Sequence, residues 1–310
     1  MKRGGPRDGA APPLPEPLAV EVHDSHAHLD IMGVDVDEAL LAAKSVGIGV
    51  VVQVGVDVAS SRWSADLATR YEQVHAAVAL HPNEAGRGAA TDEALREIEA
   101  LAGLDHVKAV GETGLDHFRT EAAEGHRLQE ESFRAHIAIA KQTGKALVVH
   151  DRDAHDDVLR VLAEEGPPDR VVFHCFSGDA AMARTCADRG YYLSFAGPVT
   201  FKANDELRTA AQVAPVELLL VETDAPFLTP MPFRGRPNAP YLVPLTVRSL
   251  AQTKGLEVDD LCSALAETGR RAFGYLTFGY WHVGVGAVRV LGRPGVGRPS
   301  HSWAGSQMST

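Results

Sequence analysis

Cysteine is scarce in this chain. There are three in 310 residues, Cys175, Cys186 and Cys262, and no C-x-x-C pair. An odd, dispersed set argues against a disulfide framework and for a reducing compartment. Cys175 follows an apolar run and reads as a small buried residue rather than a nucleophile. Long apolar runs are missing too: none approaches the ~20 residues that cross a bilayer. The first twenty residues, MKRGGPRDGAAPPLPEPLAV, start basic but hold no apolar segment of the kind a secretory signal needs. A soluble, cytoplasmic protein is expected. Positive charge is in deficit, with 30 Lys and Arg against 41 Asp and Glu and a net charge of −11. That balance gives no support to a broad, non-specific nucleic-acid surface. It leaves room for a small substrate, or for a short polyanion held by metals and a few local arginines. No G-x-G-x-x-G follows the first apolar run and no G-x-S-x-G occurs, which argues against a dinucleotide fold and a serine nucleophile.

What is present is 45% hydrophobic residues, enough for a sizeable core, in a regular alternation. Short apolar runs fall at about 20–26, 47–55, 74–80, 107–112, 145–150, 170–174, 190–195 and 217–222. They are continuous rather than alternating, as strands buried on both faces should be. Segments of helical period lie between and after them, at 60–72, 91–102, 126–143, 152–165, 179–188, 204–213, 240–253 and 257–272. Eight strands with interleaved helices predict an α/β fold with a parallel sheet. Eight is also the number that closes a (β/α)8 TIM-type barrel, which is favoured here over an open doubly wound sheet. Residues 1–19, rich in Pro and Gly, are expected to be a disordered arm, 20–274 the barrel, and 275–310 an irregular tail.

The strand ends carry the chemistry. The first run closes on His26-Ala27-His28, and residues i and i+2 of a strand share a face. The fourth gives Glu112, the fifth His150, the sixth His174 and the eighth Asp224. In a barrel all these ends converge on one mouth, where catalytic groups sit. Clustered ionisable groups are costly to bury without a metal. Four imidazoles and two carboxylates exceed the donor set of one catalytic zinc and suit two divalent ions sharing a carboxylate. Glu112 is central in strand order and is the natural bridge. The mixed set accommodates Zn, Mn, Co or Mg. Asp224 is the candidate general base towards a metal-activated water. His81, ending the third strand, faces the same mouth as a candidate substrate contact. Arg152 is a candidate phosphate contact, with Arg234 and Lys202 behind it.

These residues, in the segments DSHAHLD (24–30), LHPNEA (80–85), GETGLDH (111–117), VVHDRDA (148–154), FHCFSG (173–178), ETDAPFLTP (222–230) and RGRPNAP (234–240), resemble the TatD family of metal-dependent deoxyribonucleases. That family lies within the amidohydrolase-like barrels, and the resemblance runs from about 22 to 274. It implies a TIM-type barrel with two divalent metals, one on His26, His28, Glu112 and Asp224 and the other on Glu112, His150 and His174. It also implies hydrolysis of phosphodiester (ester) bonds, commonly 3′→5′ on single-stranded DNA and sometimes RNA, with Mg2+, in DNA repair. Phe227 stands where the family often has Tyr, and the arm and tail have no counterpart in its compact pattern. The competing expectation is another ester or amide hydrolase on the same scaffold, such as a D-aminoacyl-tRNA deacylase. A monomer is expected.

Overall fold

The computed structural model of this protein describes residues 9–274. The tail expected at 275–310 and the first eight residues of the arm lie outside the described residues.

Eight strands form, β1 (Val22–Ala27), β2 (Ile48–Val54), β3 (Val74–Val78), β4 (Val107–Asp116), β5 (Ala146–Arg152), β6 (Val171–Phe173), β7 (Tyr192–Phe195) and β8 (Leu219–Val221). Each pairs in parallel with the next, in the order β1 to β8. The helices are α1 (Val36–Ser45), α2 (Val58–Arg70), α3 (Pro82–Ala85), α4 (Asp92–Ala102), α5 (Ala123–Thr143), α6 (His155–Glu165), α7 (Ala180–Asp188), α8 (Asp205–Val213), α9 (Val243–Lys254) and α10 (Val258–Phe273). The result is a (β/α)8 TIM barrel. Among the described residues, no helix is long and apolar enough to cross a membrane.

The continuous apolar runs explain the two cores. One face of each strand packs outward against the helices, in a large cluster that includes Val51, Val78, Val110, Val149 and Phe173. The other face fills the barrel with Val50, Val52, Val54, Ala77, Ala109, Val148, Val172 and Leu220, joined by Ala272 and Phe273 at the end of α10. Local signals set the helix ends. Asp57 accepts a hydrogen bond from Ser60 N at 2.7 Å in a capping box that starts α2. α10 stops at Gly274 in the left-handed conformation.

The first and last strands meet differently from the rest. They share a single bridge, Ala27 to Ala225. Around it Asp224 N donates to His26 O at 2.9 Å and His28 N to Ala225 O at 2.8 Å. Thr223 N donates to the buried Asp24 carboxylate at 2.9 Å. Residues 9–19, expected as part of a disordered arm, carry no helix or strand but are fastened to the barrel. Arg236 donates to the carbonyls of Ala10 and Ala11, Tyr241 to Pro12, and Arg248 to Glu16 and Pro17, while Leu18 is buried.

Three expected C-terminal strand ends move by two residues or more. β3 stops at Val78 rather than 80, so His81 is the N-cap of α3 rather than the end of the strand. β4 runs to Asp116 rather than 112 and β5 to Arg152 rather than 150, so Glu112 and His150 lie inside their strands. The two strands stay paired this far because Gly114 sits beside His150 with φ +138; a Cβ there would meet His150 O at 2.1 Å.

A candidate metal centre at the barrel mouth

The six residues expected as metal ligands come together. The Glu112 carboxylate is their centre. Its Oε1 faces His26 Nε2 at 3.8 Å and His28 Nε2 at 3.6 Å. Its Oε2 faces His174 Nε2 at 2.8 Å and His150 Nδ1 at 3.1 Å. Asp224 Oδ1 joins the first side, 3.4 Å from His28 Nε2 and 3.8 Å from His26 Nε2. The donor atoms therefore fall into two groups that share one carboxylate. His26, His28 and Asp224 make one; His150 and His174 make the other.

The outer nitrogens decide what the inner ones offer. His28 Nδ1 donates to Val54 O at 3.1 Å, and His174 Nδ1 to Glu222 Oε1 at 3.4 Å. His150 Nε2 lies 3.3 Å from Asp116 Oδ2. A neutral imidazole has one N–H. With that hydrogen turned outward, each of these rings presents a lone pair inward, the form in which a metal takes histidine. His26 Nε2 and His28 Nε2 also face each other at 3.3 Å. Such convergent acceptors repel unless a proton or a cation lies among them. The donor set thus fits divalent cations, and the clusters His26–Glu112–His174, His26–His28–Asp224 and His81–Glu112–His150 each bring three possible ligand atoms within 4.8 Å of one another.

His81 is different in kind. Its Nε2 is 3.7 Å from Glu112 Oε2, within reach of the same centre. Its Nδ1, however, accepts from Asn83 N at 2.9 Å. The ring hydrogen must then sit on Nε2. Burial holds its pKa down to about 3, so the ring stays neutral. His81 is a hydrogen-bond donor into the site rather than a ligand.

Burial and charge oppose each other here. Burial alone would push the Glu112 carboxyl up, but the surrounding histidines outweigh it and hold the group well below its ordinary range. Asp224 follows the same pattern: burial opposes, and His28 and His26 keep it ionised. His174 is shifted the other way; burial lowers it, but Glu112 and Glu222 raise it well above a free imidazole. The Cys175 thiol is pushed far up by burial and by nearby carboxylates, which makes it a poor nucleophile at neutral pH.

Three supporting carboxylates escaped the sequence reading. Asp116 sits against His150, and its position is fixed by Asn83 Nδ2 at 3.2 Å and Arg119 N at 2.8 Å. Glu222 is fully buried and accepts from Cys175 N at 2.8 Å as well as from His174. Asp24 clamps Thr223, and burial pushes its pKa up to about 8. A signal existed for two of them: Asp24 lies two residues before His26 in β1 and Asp116 four after Glu112 in β4, even strand spacings. Arg152 and Arg234, expected near phosphate, stack their guanidinium groups on Phe118 and Phe201 at 4.0 and 4.4 Å. Phe227 packs edge-on to His28, with ring centroids 6.2 Å apart.

Comparison with known proteins places this geometry in context. The family model described as TatD related DNase matches residues 23–274. The uncharacterized metal-dependent hydrolase TatD of Mycobacterium tuberculosis is 46% identical over 258 residues, 81% of this chain and 97% of that protein. The uncharacterized metal-dependent hydrolase YabD of Bacillus subtilis is 37% identical over 254 residues, 81% of this chain and 98% of that protein. Among solved structures, YjjV, a TatD homologue of Escherichia coli K12, superposes with a TM-score of 0.77 at 26% identity. It covers 82% of this chain and 98% of that one.

Proposed function

Because this chain belongs to the TatD family of metal-dependent hydrolases, we propose that it cleaves phosphodiester bonds at the ends of single-stranded DNA, in the 3′→5′ direction, with RNA as a possible second substrate. The observation that carries this reading is the Glu112 carboxylate, shared between two groups of inward-facing donors, with the His81 N–H beside it. Paired cations suit an in-line displacement at phosphorus.

His26, His28, Asp224 and Glu112 would hold one cation, and Glu112, His150 and His174 the other. Zn, Mn, Co and Mg all accept such mixed ligands. When bound, divalent cations there supply Lewis-acid activation of the phosphoryl group and of a water molecule. The chain's own groups do the rest. Asp224 takes the proton of the attacking water. Its carboxylate is aimed by backbone hydrogen bonds on both sides, to His26 O from its own N–H and from Phe227 N to its carbonyl. His81 Nε2–H donates to a non-bridging oxygen. Arg152 meets the neighbouring phosphate with its free edge. Water oxygen bonds to phosphorus as the P–O ester bond breaks, and the leaving oxygen is protonated from solvent.

The test is degradation of a 5′-labelled single-stranded oligonucleotide in Mg2+, Mn2+ and EDTA. A ladder shrinking from the 3′ end, abolished by EDTA, is expected. Metal-loaded protein that leaves the oligonucleotide intact would overturn the substrate. The net charge of −11 favours one other reading, a small ester or amide substrate that needs no broad basic surface. A ladderless protein that hydrolyses such compounds would establish it.

A further inference from the structure

The end of β5 and the loops that follow β4, β7 and β8 carry two arginine–phenylalanine stacks. Phe118 lies two residues past the end of β4, and Arg152 is the last residue of β5. Phe201 lies between β7 and α8, and Arg234 between β8 and α9. All four are therefore at the mouth, with the His174 end of β6 between the two stacks. The second stack is held by contacts between its loops. Thr200 Oγ1 accepts from Met231 N at 2.8 Å, and Gly197 leaves no room for a Cβ against Leu228 O.

These arginines are unlike most on this protein. Arg62, Arg127, Arg134, Arg160, Arg208 and Arg270 are each ion-paired with carboxylates. Among the described residues, no carboxylate or carbonyl accepts from the guanidinium of Arg152 or Arg234. Phe118 is 57% exposed although Arg152 covers one of its faces. An exposed cation–π contact contributes little to stability. It does hold a guanidinium flat, with its N–H edge free for a phosphate oxygen, beside an aromatic face open to a base.

We propose that Phe118–Arg152 and Phe201–Arg234 are two nucleotide platforms on either side of the metal centre. Each stacks one base of a single strand and pairs one phosphate with its arginine. This rests on the phosphodiester reading above and deepens it: the substrate is a strand with bases on both sides of the broken bond. Two local cations then recruit a polyanion to a protein that is acidic overall.

The test is fluorescence anisotropy of fluorescein-labelled, cleavage-resistant phosphorothioate dT6 and rU6 on the metal-loaded full chain. Phe118→Ala and Phe201→Ala should each weaken binding on the order of tenfold, within the range of one lost base stack. Phe118→Trp should restore it. Arg152→Gln and Arg234→Gln should each reduce the slope of log Kd against log salt by about 0.7, one phosphate contact on a single strand. Metal content and melting temperature report that the variants are folded. Wild-type affinity in both alanine variants, or no binding of either oligonucleotide by the unmodified protein, overturns the platforms. Tighter binding of dT6 or of rU6 identifies the strand. The phosphodiester reading is judged apart, on bis(4-nitrophenyl) phosphate: cleavage of this diester without oligonucleotide binding sinks the platforms alone, and oligonucleotide binding without cleavage of any diester sinks the reaction alone.

Discussion

Replacing Glu112 by Gln isolates the shared carboxylate. The substitution keeps the shape but leaves one oxygen where there were two, and removes the charge. Whichever way the amide turns, one of the two groups faces an NH2 that cannot bind a cation. In the structure the two oxygens lie 2.8–3.8 Å from the ligand nitrogens they face. A unit charge at about 4 Å in an effective dielectric of about 20 contributes about 4 kcal/mol. Losing it corresponds to about a thousandfold in affinity at each group, at 1.36 kcal/mol per tenfold. The unmodified protein should retain two divalent ions through dialysis, and the variant one or none. Its kcat at saturating metal should fall by about a thousandfold. Glu112→Asp, shorter by one methylene, reaches only one group and should also lose an ion. Metal content is read by elemental analysis and turnover on the oligonucleotide. Melting in EDTA, where neither protein holds an ion, separates loss of metal from loss of fold. A Gln variant with two ions that resist dialysis, and kcat within tenfold of the original, would refute the bridging role.

Two further outcomes are expected. Asp224→Asn should lower kcat by about a hundredfold or more, the contribution of a general base, with oligonucleotide affinity changed only severalfold; near-normal kcat at saturating metal rules it out as the base. His136, fully buried on α5, accepts from Leu80 N at 3.1 Å and donates to Ser132 O at 2.7 Å, and burial lowers its pKa to about 4. Its folded pKa lies below the unfolded value of 6.5, so the unfolded chain binds the extra proton between them. Its contribution is whole above pH 6.5 and declines as the pH falls towards 4, by about 2 kcal/mol at pH 5. NMR of the ring should show it neutral at pH 5; a His136 that titrates near 6.5 contradicts the assignment.

The barrel and the convergence of six candidate ligands were legible because both obey short-range rules. Strands buried on two faces must be apolar throughout, and a polar group that ends such a run has few places to go but the mouth. One miss was local: α1 is absent from the helical segments read in sequence, although Asp35 accepts from Glu38 N to start it and Ala39, Leu40 and Ala43 form its buried face. Other features depend on what lies across the chain. The ends of β4 and β5 extend because each is the other's partner, a pairing that neither run reveals alone. His81 has the composition of a ligand, and only the Asn83 N–H on its Nδ1 makes it a donor. Arg152 was read as a surface cation near phosphate; its seat on Phe118 depends on a residue 34 positions earlier in the chain.

The two donor groups also differ in when they can exist. His150 and His174 come from neighbouring strands, with Glu112 one strand before them, so that half can assemble from one stretch of chain. His26, His28 and Asp224 come from the first strand and from just beyond the last, across the seam where Asp24 holds Thr223, 199 positions away. That half appears only when the final strand docks on the first. Contacts between such distant positions bear the largest chain-ordering cost before they return anything. Any arrangement short of a closed barrel therefore lacks the proposed base. A partly made or partly opened chain is left with half a centre, and the proposed hydrolysis requires the closed barrel.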